Sequence, residues 1–318
     1  MSRILITGAG GQIGSALTPR LRAAEGVDAV VASGLAEDPP LAEPYERVDV
    51  TDADRLREVI EAHDIDTVYH LAAILSAKGE QHPRLTHEVN VDGLLNVLES
   101  ARELAVDQVV VPSTIAVFGP ETPANPGEET ILRPRTMYGI TKVHLELLAS
   151  YYHDRHDLDI RGVRFPGILS HEARPGGGTT DYAVEAFYAA IEDGSYTYFV
   201  REDTRLPMMY MPDAIEAFIQ LAAADDADLR YRCEYNVGAL SFTAGELTDA
   251  IRAHRPGFEA SYEPDERQAI ADTWPDRVDD SAARAEWGWS PSYDLDAMVA
   301  DMLDNLTDRL VGADRGDR

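Results

Sequence analysis

The sequence is poor in lysine and cysteine and contains no long apolar run. Lys78 and Lys142 are the only lysines among 28 basic residues, against 57 acidic residues and a formal net charge of −29. A surface this acidic repels nucleic-acid phosphates, and no apolar run reaches the roughly 18 residues of a membrane span. A single cysteine, Cys233, cannot form an internal disulfide. We therefore expect no nucleic-acid partner, no membrane span and a reducing, cytoplasmic location.

The acidic residues are spread along the whole chain, so we interpret them as a solvated surface rather than an acidic tail. Acid excess with few lysines is typical of proteins from a high-salt cytoplasm, where counterions screen the self-repulsion. An acidic mesophilic protein is the alternative. The first residues, MSRILITGAG, read as a strand and a turn, so we expect no signal peptide.

Short apolar runs alternate with amphipathic stretches in the first half of the chain. The pattern predicts strands at residues 3–7, 29–32, 46–50, 67–73, 108–113 and 159–165, and helices at 12–24, 54–63, 84–104 and 137–156. Strands that alternate with helices imply right-handed crossovers and a parallel sheet. We therefore expect an α/β fold with a Rossmann-like, doubly wound parallel sheet.

After about residue 168 this alternation ends. A predicted helix at 180–192 is followed by short β-like pieces, such as 196–200 and 234–237, mixed with helices. We predict one domain over residues 1–168, to which some later segments return. Residues 169–318 are then mainly a smaller C-terminal lobe.

A glycine pattern follows the first predicted strand. Gly8, Gly11 and Gly14 stand in G-A-G-G-Q-I-G, between that strand and the first helix. Such glycines permit a tight turn, a close approach of the backbone to a pyrophosphate and close packing of helix on strand, while the helix N-terminus faces the phosphate charge. In this context the pattern predicts that residues 1–168 bind a dinucleotide.

The carboxylate that normally holds the adenosine ribose is missing from its expected position. Counting about 20 residues past the last glycine of the motif reaches Gly34. Glu37 or Asp38 could substitute for it, or Ser33 could bond the ribose. No arginine lies between Arg22 and Arg47 to clamp a 2′-phosphate, which favours NAD over NADP.

Asp49 and Val50 end the third predicted strand. One carboxylate and one amide at this point could read the edge of the adenine ring. The alternative for Asp49 is a helix cap or a turn residue.

A second constellation combines Tyr138, Lys142 and Thr114. The first two are four residues apart and therefore lie on one face of a helix. A tyrosine normally titrates near pH ~10, but a nearby ammonium and the positive charge of an oxidised nicotinamide favour the phenolate and lower its pKa. Lys142 can also hold the ribose hydroxyls of the nicotinamide end. Thr114 follows the strand at 108–113, at the sheet edge where ligands bind, and its hydroxyl could orient a substrate oxygen.

His153 and His156 have a spacing that metals can use, near the end of a predicted helix. No matching cysteine or histidine pair completes a site, so we expect no metal.

These motifs resemble a known family. G-A-G-G-Q-I-G, H-L-A-A and Y-G-I-T-K form the pattern of the extended short-chain dehydrogenase/reductases, which include sugar-nucleotide epimerases. Five longer stretches resemble the short-chain-type L-threonine 3-dehydrogenases: V-P-S-T-I-A-V-F-G-P (111–120), R-F-P-G-I-L-S (164–170), P-G-G-G-T-T-D-Y-A-V-E-A-F (175–187), D-T-R-L-P-M-M-Y-M-P-D (203–213) and Q-A-I-A-D-T-W-P (268–275). The resemblance spans nearly the whole chain. It fails at Gly34, where the family usually carries an aspartate.

The resemblance implies oxidation of the β-hydroxyl of L-threonine to 2-amino-3-oxobutanoate, with hydride transfer to NAD. It implies that Tyr138 is the general base, that Lys142 lowers its pKa and holds the ribose, and that Thr114 orients the reacting oxygen. Substrate contacts are implied for Ser76, in the loop after H-L-A-A, and for Thr114, Tyr138, Thr179, Thr180, Asp181 and Trp274. Cofactor contacts are implied for Gly8, Gly11, Gln12, Ile13, Gly14, Asp49, Val50, Leu71, Ala72, Ala73, Tyr138, Lys142 and Phe165.

Threonine is a zwitterion, so its site needs donors for a carboxylate and an acceptor for an ammonium. Residues 178–180, at the start of a predicted helix, offer backbone amides and two hydroxyls, and Asp181 could meet the ammonium. Without the resemblance, helix capping by this run, a loop role for Ser76 and core packing of Trp274 are equal or better interpretations.

Two other functions stay open. A nucleotide-sugar epimerase on the same scaffold needs cations for a diphosphate, for which Arg164, Arg174 and Arg205 are candidates. A non-catalytic dinucleotide sensor has no need of a base, and the intact Tyr-Lys pair counts against it. Long helices near 84–104 and 137–156 could pair across a twofold axis, so we expect a homodimer with a four-helix interface, as the resembled family forms.

Overall fold

The computed structural model describes residues 2–39, 41–172, 174 and 178–316, so Gly176 and Gly177 of the P-G-G-G-T-T-D stretch lie outside the described residues. The strands are β1 Ile4–Thr7, β2 Val30–Gly34, β3 Tyr45–Arg47, β4 Thr67–His70, β5 Gln108–Thr114, β6 Asp159–Phe165, β7 Gly167–Leu169, β8 Ser195–Tyr198, β9 Arg205–Tyr210, β10 Tyr235–Asn236, β11 Leu240–Thr243 and β12 Glu259–Tyr262. The helices are α1 Gln12–Glu25, α2 Ala53–Ala62, α3 Ser76–Gln81, α4 Pro83–His87, α5 Gly93–Glu103, α6 Met137–His156, α7 Tyr182–Glu192, α8 Met211–Ala223, α9 Ala244–His254, α10 Arg267–Ala271, α11 Ser281–Glu286 and α12 Leu295–Gly316. Within these ranges, none of the helices combines the length and hydropathy that crossing a bilayer requires.

Seven strands of the described chain form one sheet, in the order β10-β6-β5-β4-β1-β2-β3. Each neighbouring pair in it is parallel. The strand order runs outward from β1 in both directions, so the carboxyl ends of β1 and β4 flank a crevice where such folds bind ligands. The predicted α/β fold with a Rossmann-like, doubly wound parallel sheet is confirmed.

Alternation along the strands decides which helices cover each face of the sheet. In β1, Leu5 points to one face and packs into a core with apolar side chains of α2, α5 and α6. Its neighbours Ile4 and Ile6 point to the other face, where α1 and α8 contribute Leu17 and Phe218. Successive side chains of a strand alternate between faces, so continuous apolar runs such as ILIT are buried on both sides.

Two predicted elements differ in detail. The predicted helix at 84–104 is interrupted: α4 and α5 are joined by a π-helical turn, Glu88–Asp92. The predicted third strand at 46–50 is shorter and lies earlier, because Asp49 accepts hydrogen bonds from the Thr51 backbone N–H and hydroxyl and thereby forms a turn. The boundaries shift because local side-chain hydrogen bonds compete with the strand ladder.

The second half of the chain builds a smaller region beside the sheet. Among the described residues, β11, β9 and β7 form a three-stranded sheet, and β12 pairs with β8. Their core is shared with α7, α9 and α12. Strand β10 returns to the large sheet, where it pairs with β6. The division at residues 168 and 169 stays a prediction.

Salt is expected to stabilise this fold, because a net charge of −29 repels itself within the folded chain. Raising KCl from about 0.05 to 0.5 M shortens the screening length severalfold and should raise Tm by roughly 5 °C or more. Thermal unfolding followed by circular dichroism measures this shift. A Tm that is unchanged or lower over this range, which lies below the concentrations of general salting-out, would contradict the high-salt interpretation.

Candidate active site

The glycine turn brings the first and fourth strands of the sheet close together. Gly8 has φ +70°, a conformation that favours glycine, and a Cβ on it would lie 2.7 Å from the backbone nitrogen of Ala72. A Cβ on Gly14 would lie 2.6 Å from the carbonyl oxygen of Ala9. Gly11 is exposed at the N-terminus of α1. This glycine-lined helix start fits a dinucleotide pyrophosphate, as the sequence predicts.

The H-L-A-A segment forms the neighbouring wall. The His70 imidazole nitrogen Nδ1 lies 2.8 Å from the Thr7 hydroxyl, and the Leu71 backbone N–H donates to the Thr7 carbonyl oxygen at 3.0 Å. Burial and the charge of Lys142 lower the pKa of His70 to about 3, so this imidazole is neutral. His70 therefore holds β1 against β4 and leaves Ala72 and Ala73 to face the glycine turn and the crevice.

Tyr138 and Lys142 lie on the first turns of α6, next to the end of β5. The Lys142 ammonium donates to the Pro112 carbonyl oxygen at 2.6 Å, and its nitrogen lies 5.7 Å from the centre of the Tyr138 ring. Helix α6 begins at a Thr136 cap, whose hydroxyl accepts from the Gly139 N–H at 3.1 Å. These contacts bring Tyr138, Lys142 and the carboxyl end of β5 close together.

Gly139 allows this helix to approach the turn that follows Thr114. A Cβ at Gly139 would lie 2.2 Å from the Ala116 carbonyl oxygen, closer than any side chain tolerates. Thr114 is the last residue of β5, and its hydroxyl accepts from the Ala116 backbone N–H at 3.2 Å. The turn after Thr114 and the first turn of α6 are thus in direct backbone contact.

Burial works against ionisation of both catalytic candidates. It raises the pKa of Tyr138 to about 12, which the neighbouring Thr114 hydroxyl partly offsets. It also lowers the pKa of Lys142 to about 8, and the Glu146 carboxylate opposes this shift. The phenol is therefore protonated at neutral pH until further positive charge enters the cavity. The charge of an oxidised nicotinamide is of the sign that is needed.

A buried ion pair between Glu146 and Arg164 lies near Lys142. The sequence analysis did not predict this pair. The Arg164 guanidinium contacts both carboxylate oxygens of Glu146 at 2.8 Å, and the Ser113 hydroxyl donates to the same carboxylate at 2.5 Å. The side chains of Glu146 and Arg164 are 3% and 1% exposed. The available signal was the spacing of Glu146, four residues after Lys142 on the same helix face.

A cavity of about 220 Å³ opens at the carboxyl edge of the sheet, between the sheet and the smaller region. It is lined by predicted residues from the cofactor, catalytic and substrate groups: Gly11, Gln12, Ile13, Ala73, Ser76, Thr114, Tyr138, Lys142, Phe165, Thr180, Asp181 and Trp274. Leu75, Pro112, Ser113, Ile115, Pro166, Gly167, Ile168 and Gly178 complete the lining. Among the described residues, no cluster of three or more histidine, cysteine, aspartate or glutamate side chains could hold a metal ion.

A further wall of the cavity comes from Gly178, Thr180 and Asp181. The Asp181 carboxylate accepts from the Gly178 backbone N–H at 2.5 Å, which closes the turn before α7. Thr180 packs on Gly167, where a Cβ would lie 2.7 Å from the threonine methyl carbon. The side chain of Thr179 is buried instead, 1% exposed, and lies away from the cavity lining that the described residues form. Its contact with substrate stays a prediction.

The sequence suggests that Ser76 lies in a loop. In the structure it is instead the first residue of the short helix α3. Its side chain is 6% exposed and lines the cavity. The segment before it is held by Asn90, whose amide nitrogen donates to the Ile74 carbonyl oxygen at 3.0 Å and whose oxygen accepts from the Ile74 N–H at 2.7 Å. This clamp explains why the chain turns into a helix at Ser76.

Asp49 and Val50 are not among the residues that line the cavity in the described part of the chain. Asp49 forms the turn with Thr51 described above, which is the alternative that the sequence left open. Val50 is buried against α5, where a Cβ on Gly93 would lie 2.7 Å from its methyl carbon. Contacts of Asp49 and Val50 with adenine stay predictions.

Comparison with known proteins identifies the family of this chain. The model of the NAD dependent epimerase/dehydratase family matches residues 4–238. The chain belongs to that family. It is also 46% identical over 312 residues to an uncharacterized epimerase/dehydratase of Staphylococcus aureus (strain USA300), covering 96% of this chain and 97% of the relative.

Solved structures of the family agree closely with this one. The holo form of a GalE-like L-threonine dehydrogenase from Cupriavidus necator is 49% identical, with a TM-score of 0.93 over 96% of this chain and 99% of that one. A monomeric L-threonine 3-dehydrogenase from a metagenome is 45% identical, with a TM-score of 0.93 and the same coverage, 96% and 99%. The resemblance to the short-chain-type L-threonine 3-dehydrogenases is confirmed, and with it membership of an NAD-dependent family.

Proposed function

We propose that this protein is an L-threonine 3-dehydrogenase that uses NAD. One observation carries the proposal: a single small cavity is lined both by Thr114, Tyr138 and Lys142, from β5 and α6, and by Thr180 and Asp181, from the segment before α7. The first group is suited to removing a proton from an alcohol. The second offers hydroxyl and carboxylate groups within the reach of a compact amino acid.

The chemistry follows from the positions of these groups. Bound NAD supplies the hydride acceptor at the nicotinamide end of the crevice. Tyr138, as phenolate, takes the proton of the β-hydroxyl while the hydrogen on the β-carbon departs with its electron pair, so that O–H and C–H break and C=O forms. Thr114 donates a hydrogen bond to the reacting oxygen. Lys142 lowers the pKa of Tyr138 and holds the ribose hydroxyls beside it.

The second group provides the charges that a zwitterion requires. Asp181 meets the substrate ammonium, while the Thr180 hydroxyl and the backbone amides of residues 179 and 180 hold the carboxylate. Ser76 contacts the amino acid from α3, and the Trp274 ring covers the site. These contacts orient the β-carbon, and orientation of the reacting atoms supplies much of the rate of such enzymes.

The three arginines that an epimerase could use for a sugar diphosphate do not line the cavity that the described residues form. Arg164 is buried and paired with Glu146 at 2.8 Å, and Arg174 and Arg205 pair with Glu192 and Glu246 at 2.5 Å and 2.6 Å outside that lining. This favours the amino-acid substrate over the nucleotide sugar. A dinucleotide sensor is the remaining alternative, since it would bind NADH without turnover.

The deciding experiment measures NADH formation with L-threonine at several KCl concentrations, with L-serine and UDP-galactose as controls. We expect threonine-dependent NADH formation, weaker activity with serine and no epimerisation of the sugar. Epimerisation without threonine oxidation would establish the epimerase. NADH binding without turnover of either substrate would establish the sensor.

We also propose that the protein is a homodimer through α5 and α6. Three exposed apolar side chains lie on one face of α6, Ile140, Leu147 and Tyr151, with exposed fractions of 52%, 68% and 53%, and Leu95 on α5 is 38% exposed. A second copy would bury this face in a four-helix interface. One relative, by contrast, is named monomeric.

Light scattering after size exclusion tests this proposal. The wild-type protein should elute at twice the mass of one chain, and Leu147→Glu should shift it to the monomer. Ile131→Glu, at an exposed apolar position off these helices, is the matched control and should leave the dimer intact. A monomeric wild-type protein would contradict the homodimer.

A further inference from the structure

The adenosine end of the cofactor site differs from the pattern of its family. Gly34 ends β2, where a carboxylate normally bonds the ribose 2′-hydroxyl. A Cβ at Gly34 would lie 3.3 Å from the Tyr45 hydroxyl oxygen, so a side chain here would require Tyr45 to shift by only a few tenths of an ångström. That hydroxyl donates to the Ala36 carbonyl oxygen at 3.1 Å. No carboxylate therefore projects from the end of this strand.

Ser33, one substitute that the sequence suggests, is excluded. Its side chain is fully buried, and its hydroxyl donates to the Ile6 carbonyl oxygen at 3.1 Å inside the sheet. It faces β1 rather than the ribose. The acidic candidates that remain, Glu37 and Asp38, lie in the exposed loop after β2.

Arg47 is 13 residues from Gly34 along the sequence, but the pairing of β2 with β3 brings the two residues together. Strand β3 runs parallel to β2, and its register places Arg47 directly opposite Gly34. The Arg47 Nε donates to the Leu35 carbonyl oxygen at 3.3 Å, and its guanidinium lies 3.2 Å from a carboxylate oxygen of Glu37. The side chain is 63% exposed. The guanidinium therefore lies over the loop that follows Gly34.

We propose that this site accepts the 2′-phosphate of NADP as well as the free 2′-hydroxyl of NAD, with Arg47 as the residue that binds the phosphate. A guanidinium offers paired donors to phosphate oxygens, and an arginine near this strand end is the usual partner of a 2′-phosphate. An aspartate at the strand end would repel that phosphate, but here the position is Gly34. The inference rests on the dinucleotide site of the proposed function, not on its substrate.

Glu37 is the competitor of the phosphate. Its carboxylate pairs with Arg47 in the absence of a 2′-phosphate, and its side chain is 82% exposed and free to move aside. An exposed pair of this kind contributes little to stability, so breaking it costs the protein little. Glu37 therefore lowers the affinity for NADP. When NAD is bound, its carboxylate can hydrogen-bond the ribose.

Calorimetric titration of the full chain with NADH and NADPH, at one ionic strength and without substrate, tests the proposal. In the wild-type protein the two dissociation constants should agree within about tenfold. Arg47→Met should weaken NADPH binding about tenfold or more and change NADH binding less than about twofold. Arg20→Met is the matched control: it removes another exposed arginine, paired with Glu216 on α8, and should change neither constant.

Two further variants test the roles of Glu37 and Gly34. Glu37→Gln should tighten NADPH binding about threefold or more, while Asp38→Asn, which removes the same charge from the same loop, should do less. Gly34→Asp should tighten NADH binding and weaken NADPH binding.

Equal losses of NADH and NADPH affinity in Arg47→Met would overturn the proposal. So would unchanged NADPH binding in Arg47→Met, equal effects of the two loop variants, or no NADPH binding by the wild-type protein at about a hundred times the NADH dissociation constant. A protein that binds both nucleotides but leaves threonine unoxidised would contradict the proposed function alone. Failure of the NADP proposal and failure of the proposed threonine oxidation can therefore be told apart.

Discussion

Replacing Tyr138 with phenylalanine is expected to lower kcat for threonine oxidation by about a thousandfold, within the range that general-base catalysis supplies. The ring keeps its packing next to Lys142, but the oxygen that takes the β-hydroxyl proton is lost. NADH affinity should stay within about twofold, because the glycine turn and Lys142 are unchanged. Initial rates with saturating threonine and calorimetric titration with NADH measure the two effects separately.

The control for this variant is Tyr151→Phe. Tyr151 lies on the same helix and is 53% exposed, outside the cavity that the described residues form. Its replacement removes the same hydroxyl, keeps the apolar ring on the proposed dimer face and should leave kcat unchanged. If Tyr138→Phe retains more than about a tenth of the activity, another group takes the proton and the assignment of the base is wrong.

The second large effect is expected from Lys142→Met. Loss of the ammonium should lower kcat at neutral pH by about a hundredfold and move the acidic limb of the pH profile to higher pH. The limb moves to higher pH because Tyr138 acts as a deprotonated base. Burial already raises its pKa to about 12. Removing a nearby positive charge raises that pKa further. Part of the lost activity should therefore return as the pH rises.

Lys78→Met is the matched control, since Lys78 is the only other lysine in the sequence and is exposed on α3. Lys142→Met leaves the Pro112 carbonyl oxygen without its donor, so thermal unfolding must accompany the rates. A lowered kcat with an unmoved acidic limb would show that Lys142 holds the ribose without affecting the base.

The fold and the centre of the site were predictable because they depend on local patterns. The strand-glycine-helix order around Gly8 specifies both the first crossover and the glycine-lined start of α1, where we predict that a pyrophosphate binds. The four-residue spacing of Tyr138 and Lys142 determines that both face the same side of α6. Each of these inferences needs only chain neighbours, whose geometry the backbone dictates.

The adenosine end was not predictable in the same way. The sequence shows no arginine close to Gly34 along the chain, yet Arg47 is its direct neighbour across the β2–β3 pair. Register between strands depends on tertiary packing, which a single sequence does not display. For the same reason the contact between Glu146 and Arg164, on α6 and β6, became visible only in the structure.

Local hydrogen bonds account for the remaining differences. Asp49 bonds to Thr51 and ends the strand early, and Asn90 holds Ile74 so that a helix begins at Ser76. Such side-chain contacts compete with regular secondary structure on nearly equal terms. Thr179 is buried, whereas its neighbours Thr180 and Asp181 line the cavity, a difference that the sequence does not display.

The direct backbone contact between Gly139 and Ala116 has a consequence for how such proteins diversify. It joins Thr114 and Tyr138 through the frame of the sheet domain, with no side chain between the two segments to be exchanged. The wall proposed to hold the amino acid, residues 178–181, comes from the other region, where Thr180 packs on Gly167 of β7. Substitutions in that wall can therefore change which alcohol is held while the proton-abstracting geometry is inherited intact. We therefore expect substrate choice to change independently of the oxidation chemistry on this scaffold.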